Sequence, residues 1–205
     1  MSHHKHDHEH CHHDHENNHD FFNESASTWD NHAHDMDFQN IEKILDRVPF
    51  SPDDQILDVG AGTGILVPFL IKRQLNNFTA IDSSEKMAAH YSKKYPGRKI
   101  VVGDYEQILF PKGSFDKIII FNTFPHFAHP ENAIKNSLHY LKKGGRLVIA
   151  HSMSRHELNK HHAKHAAVAH DVLVDAPTLT AMLEKAGFTH ISVDDGAYYF
   201  ALAQA

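Results

Sequence analysis

Ten residues, Ile56 to Ile65, carry the clearest chemistry in the chain: Ile-Leu-Asp58-Val-Gly60-Ala61-Gly62-Thr-Gly64-Ile. An apolar run that turns through closely spaced glycines into a helix lets the backbone approach a ligand with no Cβ in the way. A helix that follows such a turn presents unpaired N–H groups to it. A second apolar run ends at Asp82, the position from which a doubly wound fold bonds ribose hydroxyls. Together they indicate a nucleotide-like cofactor. The spacing is G-x-G-x-G, not the G-x-G-x-x-G that hands a pyrophosphate to a helix, and this disfavours NAD. Another tempting pattern, Tyr95 and Lys99 at Y-x-x-x-K spacing, fails because Pro96 and Gly97 would break the helix it needs.

Histidine is the other conspicuous residue type, with 22 in 205 residues. Residues 1–20 hold nine of them, with five acidic residues and Cys11 among them. Such a segment buries too little apolar surface to order itself and reads as a disordered tail. Its mixture of imidazole and carboxylate suits Zn, Ni, Co or Cu, so metal ions are expected partners of this tail. A second group lies later in the chain. His126 and His151 follow apolar runs, while His161, His162, His165 and His170 sit in the connection after them, and His34 lies near the N-terminus. Imidazoles from separate segments that converge on one pocket could bind a divalent metal or supply a general base, with His126 and His151 the candidates for the base.

The elements that would position these groups alternate regularly. Residues 21–48 read as one or two helices. Strands are expected at 56–60, 78–81, 99–102, 116–121 and 145–151, with helices near 64–75, 84–95, 130–141 and 178–186 between and after them. Two last strands, near 188–193 and 198–203, are joined by Asp194-Asp195-Gly196, a hairpin signal. This predicts an α/β fold of Rossmann-like, doubly wound type: a single domain with a mostly parallel sheet and an antiparallel last strand. Residues 1–20 form the tail, 21–52 N-terminal helices over the cofactor site, and 53–205 the main domain. Chemistry should then lie at the carboxyl ends of the strands.

Asp58, Gly60, Gly62 and Gly64 resemble the E/D-x-G-x-G-x-G motif of the class I S-adenosylmethionine-dependent methyltransferases. The resemblance implies a seven-stranded sheet with S-adenosylmethionine as cofactor. It also implies a cofactor site formed by Asp58, Gly60, Ala61, Gly62, Gly64, Asp82, Ser83, Met87, Asp104, Tyr105 and Asn122. In that family Asp82 would hold the ribose, Asp104 the adenine amino group, and Tyr105 would flank the ring. Asn122 could orient an acceptor, giving candidate catalytic residues His126, His151 and Asn122. The segment Asn122-Thr-Phe-Pro lacks the tyrosine of the Asn-Pro-Pro-Tyr enzymes that methylate nucleic-acid amines. Nearly the whole chain resembles small bacterial members of unassigned substrate, whose shared pattern selects His34, His126, His151, His162 and His170 as the metal candidates.

The expected function is methylation of a small-molecule acceptor. A metal-binding or metal-sensing protein on the same fold, with little turnover, is the rival. Net charge is −6 and no Lys/Arg cluster exceeds a pair, so nucleic acid is not expected. No apolar run or signal-peptide core is long enough for a membrane, which leads to the expectation of a cytoplasmic protein, monomer or homodimer.

Overall fold

The computed structural model describes residues 21–29, 38–165 and 168–205. The histidine-rich tail and His34 lie outside the described residues. Seven strands form one sheet: β1 Ile56–Val59, β2 Phe78–Asp82, β3 Lys99–Val102, β4 Phe115–Phe121, β5 Leu141–His151, β6 Thr189–Asp195 and β7 Tyr199–Gln204. Their order is β3-β2-β1-β4-β5-β7-β6. Pairings from β3 to β5 are parallel, and β7 runs antiparallel between β5 and β6. The sequence direction reverses between β1 and β4, so the end of β1 is the switch point where such sheets bind ligands.

Helices cover both faces: α1 Phe38–Asp46, α2 Val67–Lys72, α3 Glu85–Lys94, α4 Pro130–Tyr140, α5 Arg155–His162 and α6 Ala176–Ala186. Alternation along the strands decides which side each residue serves. Ile56, Ile119, Phe121 and Val148 pack with Ile41, Ile44, Leu70 and Tyr91 of α1–α3. Leu57, Val59, Ile118, Ile120 and Ile149 pack with Ile134, Leu179 and Leu183 of α4 and α6. Burial on both faces explains why β1 and β4 are mostly apolar, Asp58 being the one polar residue of β1 and Ile118–Phe121 an unbroken apolar stretch in β4.

Three expectations about elements change. The helix expected from about residue 64 begins only at Val67, because the backbone turns through 62–66, with Gly64 N–H donating to Ala61 and Val67 N–H to Gly64. Strand β5 begins at Leu141 instead of 145, since Leu141 pairs with Phe115 before a register shift. Helix α5 stands in what read as a connection. Its start is a capping box that the sequence does contain: Glu157 N–H donates to Ser154 Oγ, whose hydroxyl donates back to Glu157 Oε2 at 2.8 Å.

Opposite the ligand end, Lys117 Nζ lies 2.9 Å from Asp54 Oδ2, with side-chain exposures of 10% and 8%. Removing one member of so buried a pair leaves the other charge unpaired. We expect Asp54→Ala to lower unfolding free energy by about 3–5 kcal/mol in a denaturant titration.

Candidate active site

Three glycines shape the cofactor half, each at positive φ: Gly60 at 67°, Gly62 at 54° and Gly64 at 91°. They serve two purposes. A Cβ on Gly60 would lie 2.3 Å from the Thr123 side chain, and one on Gly64 would lie 2.6 Å from the Tyr95 ring and 2.9 Å from the Tyr91 ring. These two let the turn pack down on the strands and on α3. A Cβ on Gly62 would meet nothing nearer than Trp29 Nε1 at 3.8 Å. Gly62 therefore faces the open side, where a ligand can touch the backbone.

Asp82, at the end of β2, pins this turn. Its Oδ2 accepts Gly62 N–H at 2.7 Å and its Oδ1 accepts Ser84 N–H at 2.9 Å. Both carboxylate oxygens thus hold the backbone of the β1 and β2 ends together at the switch point. Ser84 caps α3 by accepting Met87 N–H, which places buried Met87 in the first turn behind the exposed Ser83. Ala61 is buried, and its N–H is spent on Ile81. At the end of β3, Asp104 accepts Glu106 N–H at 2.8 Å and the Gln107 side-chain amide at 2.7 Å, so it caps a turn.

Tyr105 is used differently from the expectation. Its ring is a core residue packed near Tyr140 and Phe127, and its hydroxyl donates to Ser137 Oγ at 2.9 Å. Asn122 also serves a structural end. It sits at φ 54°, unusual for a residue with a side chain, and its Oδ1 accepts Ser152 N–H at 2.9 Å while its amide donates to Ser152 Oγ. It thereby ties the end of β4 to the end of β5.

Asp58 is 2% exposed, and its Oδ2 has no hydrogen-bond partner. Burial, then the neighbouring Asp82 charge, pushes its carboxyl from 3.8 up to about 7. The folded protein thus holds the proton more tightly than the unfolded chain does. Stability is full below the unfolded value and falls as pH rises through the window from 3.8 to about 7. Asp58→Asn removes the ionisable group, so we expect it to flatten this slope and raise stability near pH 8 by a few kcal/mol, on the order of 1.4 per unit of pKa shift. Melting curves of both proteins across pH 4–8 check this.

Beside the glycine turn's end of the sheet, three imidazoles gather at the ends of β4, β5 and α5. His126 lies in a 3₁₀ turn after β4, Phe124–His126, and its Nδ1–H donates to Asp171 Oδ2 at 2.5 Å. His162, at the end of α5, donates its Nδ1–H to the Asp171 main-chain carbonyl, also at 2.5 Å. Asp171 therefore orients both rings, whose centroids are 5.3 Å apart. His151 closes β5 and accepts Met153 N–H at its Nδ1, which leaves Nε2–H as a donor in the neutral ring. Burial, reinforced by His126, His162 and His161, pushes His151 down to about 3. Burial also lowers His162, against the opposing pull of the Asp171 carbonyl.

Residues 21–29 bridge the two halves. Asn23 Oδ1 accepts the Ser84 hydroxyl at 2.7 Å, Phe22 stacks edge-on against His126 at 5.0 Å, and Trp29 stands at Gly62.

Of the expected histidines, the structure brings His126, His151 and His162 together, while His170 is exposed. Its neighbour Asp171 is the residue that matters, and Phe22 and Trp29 were not foreseen either. His161 and His165 face each other at 4.5 Å on the outer side of α5. Among the described residues, no group of three His, Cys, Asp or Glu is arranged to hold a metal ion.

Residues 57–149 match the family described as methyltransferase domain. The chain is 33% identical over 111 residues to demethylmenaquinone methyltransferase of Thermotoga maritima, covering 53% of this chain and 46% of that one. It is 30% identical over 158 residues to the O-methyltransferase cnsE of Penicillium expansum, covering 73% of this chain and 57% of that one. The chain thus spans about half the length of these curated relatives. A crystal structure of an S-adenosylmethionine-dependent methyltransferase from Thermotoga maritima shares the fold at a TM-score of 0.73 and 20% identity, over 89% of this chain and 97% of that one. Its sheet order and glycine turn give the chain the fold of the class I S-adenosylmethionine-dependent methyltransferases, and residues 57–149 are its methyltransferase domain.

Proposed function

We propose that this protein methylates a protic group on a small-molecule acceptor, with S-adenosylmethionine as methyl donor and His126 as general base. The observation that carries it is the His126–Asp171 bond: Nδ1 is held as a donor, so Nε2 is the acceptor atom on the acceptor side. The open face of Gly62 and the position of the Asp82 carboxylate at the end of β2 fit the cofactor. Asp58, Gly60, Ala61, Gly62, Gly64, Ser83, Met87 and Asp104 complete its proposed cradle. When bound, the cofactor supplies a methyl group on a sulfonium. His126 Nε2 would take the proton that the acceptor hydroxyl gives up on methylation, the departing sulfur keeping the C–S electron pair. Asp171 stabilises the imidazolium that results. His151, held neutral by burial, is the weaker base and serves as a hydrogen-bond donor. Asn122 holds the strand ends in place around it.

A divalent metal at His126, His151 and His162 is the second reading, favoured by the 5.3 Å approach of the His126 and His162 rings, although no three described residues are already arranged to hold an ion. His34 and His170 would be its further ligands, and the histidine-rich residues 1–20 would take up such ions. Titration calorimetry of the full chain with S-adenosylmethionine, before and after chelator treatment, decides between the readings. Binding indifferent to chelator supports the acid–base reading. Absence of binding in both conditions overturns methyl transfer and favours a metal-handling protein.

A further inference from the structure

One residue, Asp171, sets the chemistry of two imidazoles at once: its carboxylate takes His126 Nδ1–H and its carbonyl takes His162 Nδ1–H. A carbonyl oxygen can only accept, so the His162 tautomer is fixed as firmly as that of His126. Both rings present Nε2 as a lone pair. Among the described residues neither Nε2 has a partner, and neither is one of the sealed unpartnered atoms. We infer that this pair of acceptors selects an acceptor substrate with two hydroxyl donors on one planar ring, one methylated at His126 and the other anchored by His162.

The reasoning is complementarity. A carboxylate substrate would set acceptors against acceptors. An ammonium would have to shed its water beside rings whose shared carboxylate is already bonded to His126. A neutral diol satisfies both Nε2 atoms and carries no charge into the pocket. Rings whose centroids are 5.3 Å apart suit two donors on one small molecule better than one shared donor. The wall is aromatic as well: Phe22 meets His126 at 5.0 Å and Trp29 at 5.6 Å, surroundings that favour a flat ring. Nδ1 of His151 is occupied by Met153, so its Nε2–H can donate to an oxygen of the same ligand.

The inference rests on the methyl-transfer reading, and its test separates the two. Full-length protein is titrated with catechol, phenol, 1,2-dimethoxybenzene and benzoate at saturating S-adenosylhomocysteine, and turnover is followed with S-adenosylmethionine. Catechol should bind about 10-fold tighter than phenol, the equivalent of one net hydrogen bond, with the diether and benzoate weaker still. His162→Phe keeps the ring and removes the acceptor, so it should erase the diol preference, raising KM with kcat little changed. Asp171→Asn keeps the carbonyl that holds His162, so it should retain the preference while kcat falls. This variant keeps the inference testable if His162→Phe does not fold. Equal binding of catechol and phenol, an unchanged preference in His162→Phe, or catechol binding that chelator abolishes would each overturn it. Methylation of some other acceptor that His126→Ala abolishes would leave the base assignment standing while the diol inference fell.

Discussion

His126→Ala is expected to lower kcat by about 10²–10⁴-fold, the usual contribution of a positioned base, while S-adenosylmethionine affinity stays near that of the parent. The ring sits in the turn after β4 with Asp171 behind it, and it makes no bond to the glycine turn among the described residues. Loss should therefore appear in the chemical step. Asp171→Asn should lie between the parent and His126→Ala, since Nε2 remains while its tautomer is no longer enforced. Initial rates, alongside cofactor affinity by calorimetry, measure all three. A variant at parental rate would remove His126 from the mechanism.

Asp82→Ala should do the opposite, weakening the cofactor far more than it slows chemistry at saturation. The carboxylate holds Gly62 N–H and Ser84 N–H, and in the proposed site it also meets the ribose. A hydrogen bond to a charged group contributes about 1.5–3 kcal/mol, so losing two with a looser turn should raise the Kd roughly 100-fold or more. Asp82→Asn keeps an oxygen for Gly62 and should fall between. If Kd in Asp82→Ala changes less than threefold, the cofactor does not sit at this carboxylate.

The fold was legible because its signals are local. β1 and β4 announce themselves as apolar runs, and the hairpin at Gly196 foretold the antiparallel β7 between β5 and β6. Asp82 was legible from its place at the end of an apolar run. The sequence reading missed α5 although Ser154 and Glu157 spell a capping box, because few apolar residues mark its face: only Leu158 and His162 are buried. Helix α2 was read too long because the turn's own hydrogen bonds run on past Gly64.

The site was half legible. Tyr105 looked like a ligand because it follows Asp104, yet strand alternation does not govern a turn residue, and the ring found a place in the core beside Ser137. His170 drew attention, yet it is exposed and its neighbour Asp171 is the residue that bonds His126 and His162. Nothing in the local pattern tells which of two adjacent residues will turn inward to meet His126, 45 positions away.

By itself, the sequence determined what depends on a residue's own backbone: Gly60, Gly62 and Gly64 permit the positive-φ turn, and apolar alternation dictates the doubly wound sheet around it. Only the tertiary structure decided which of the histidines share a pocket and which nitrogen of each bears the proton. An imidazole's tautomer is set by the atom opposite Nδ1, and for His126 and His162 that atom comes from Asp171, a residue the chain brings near only once folded.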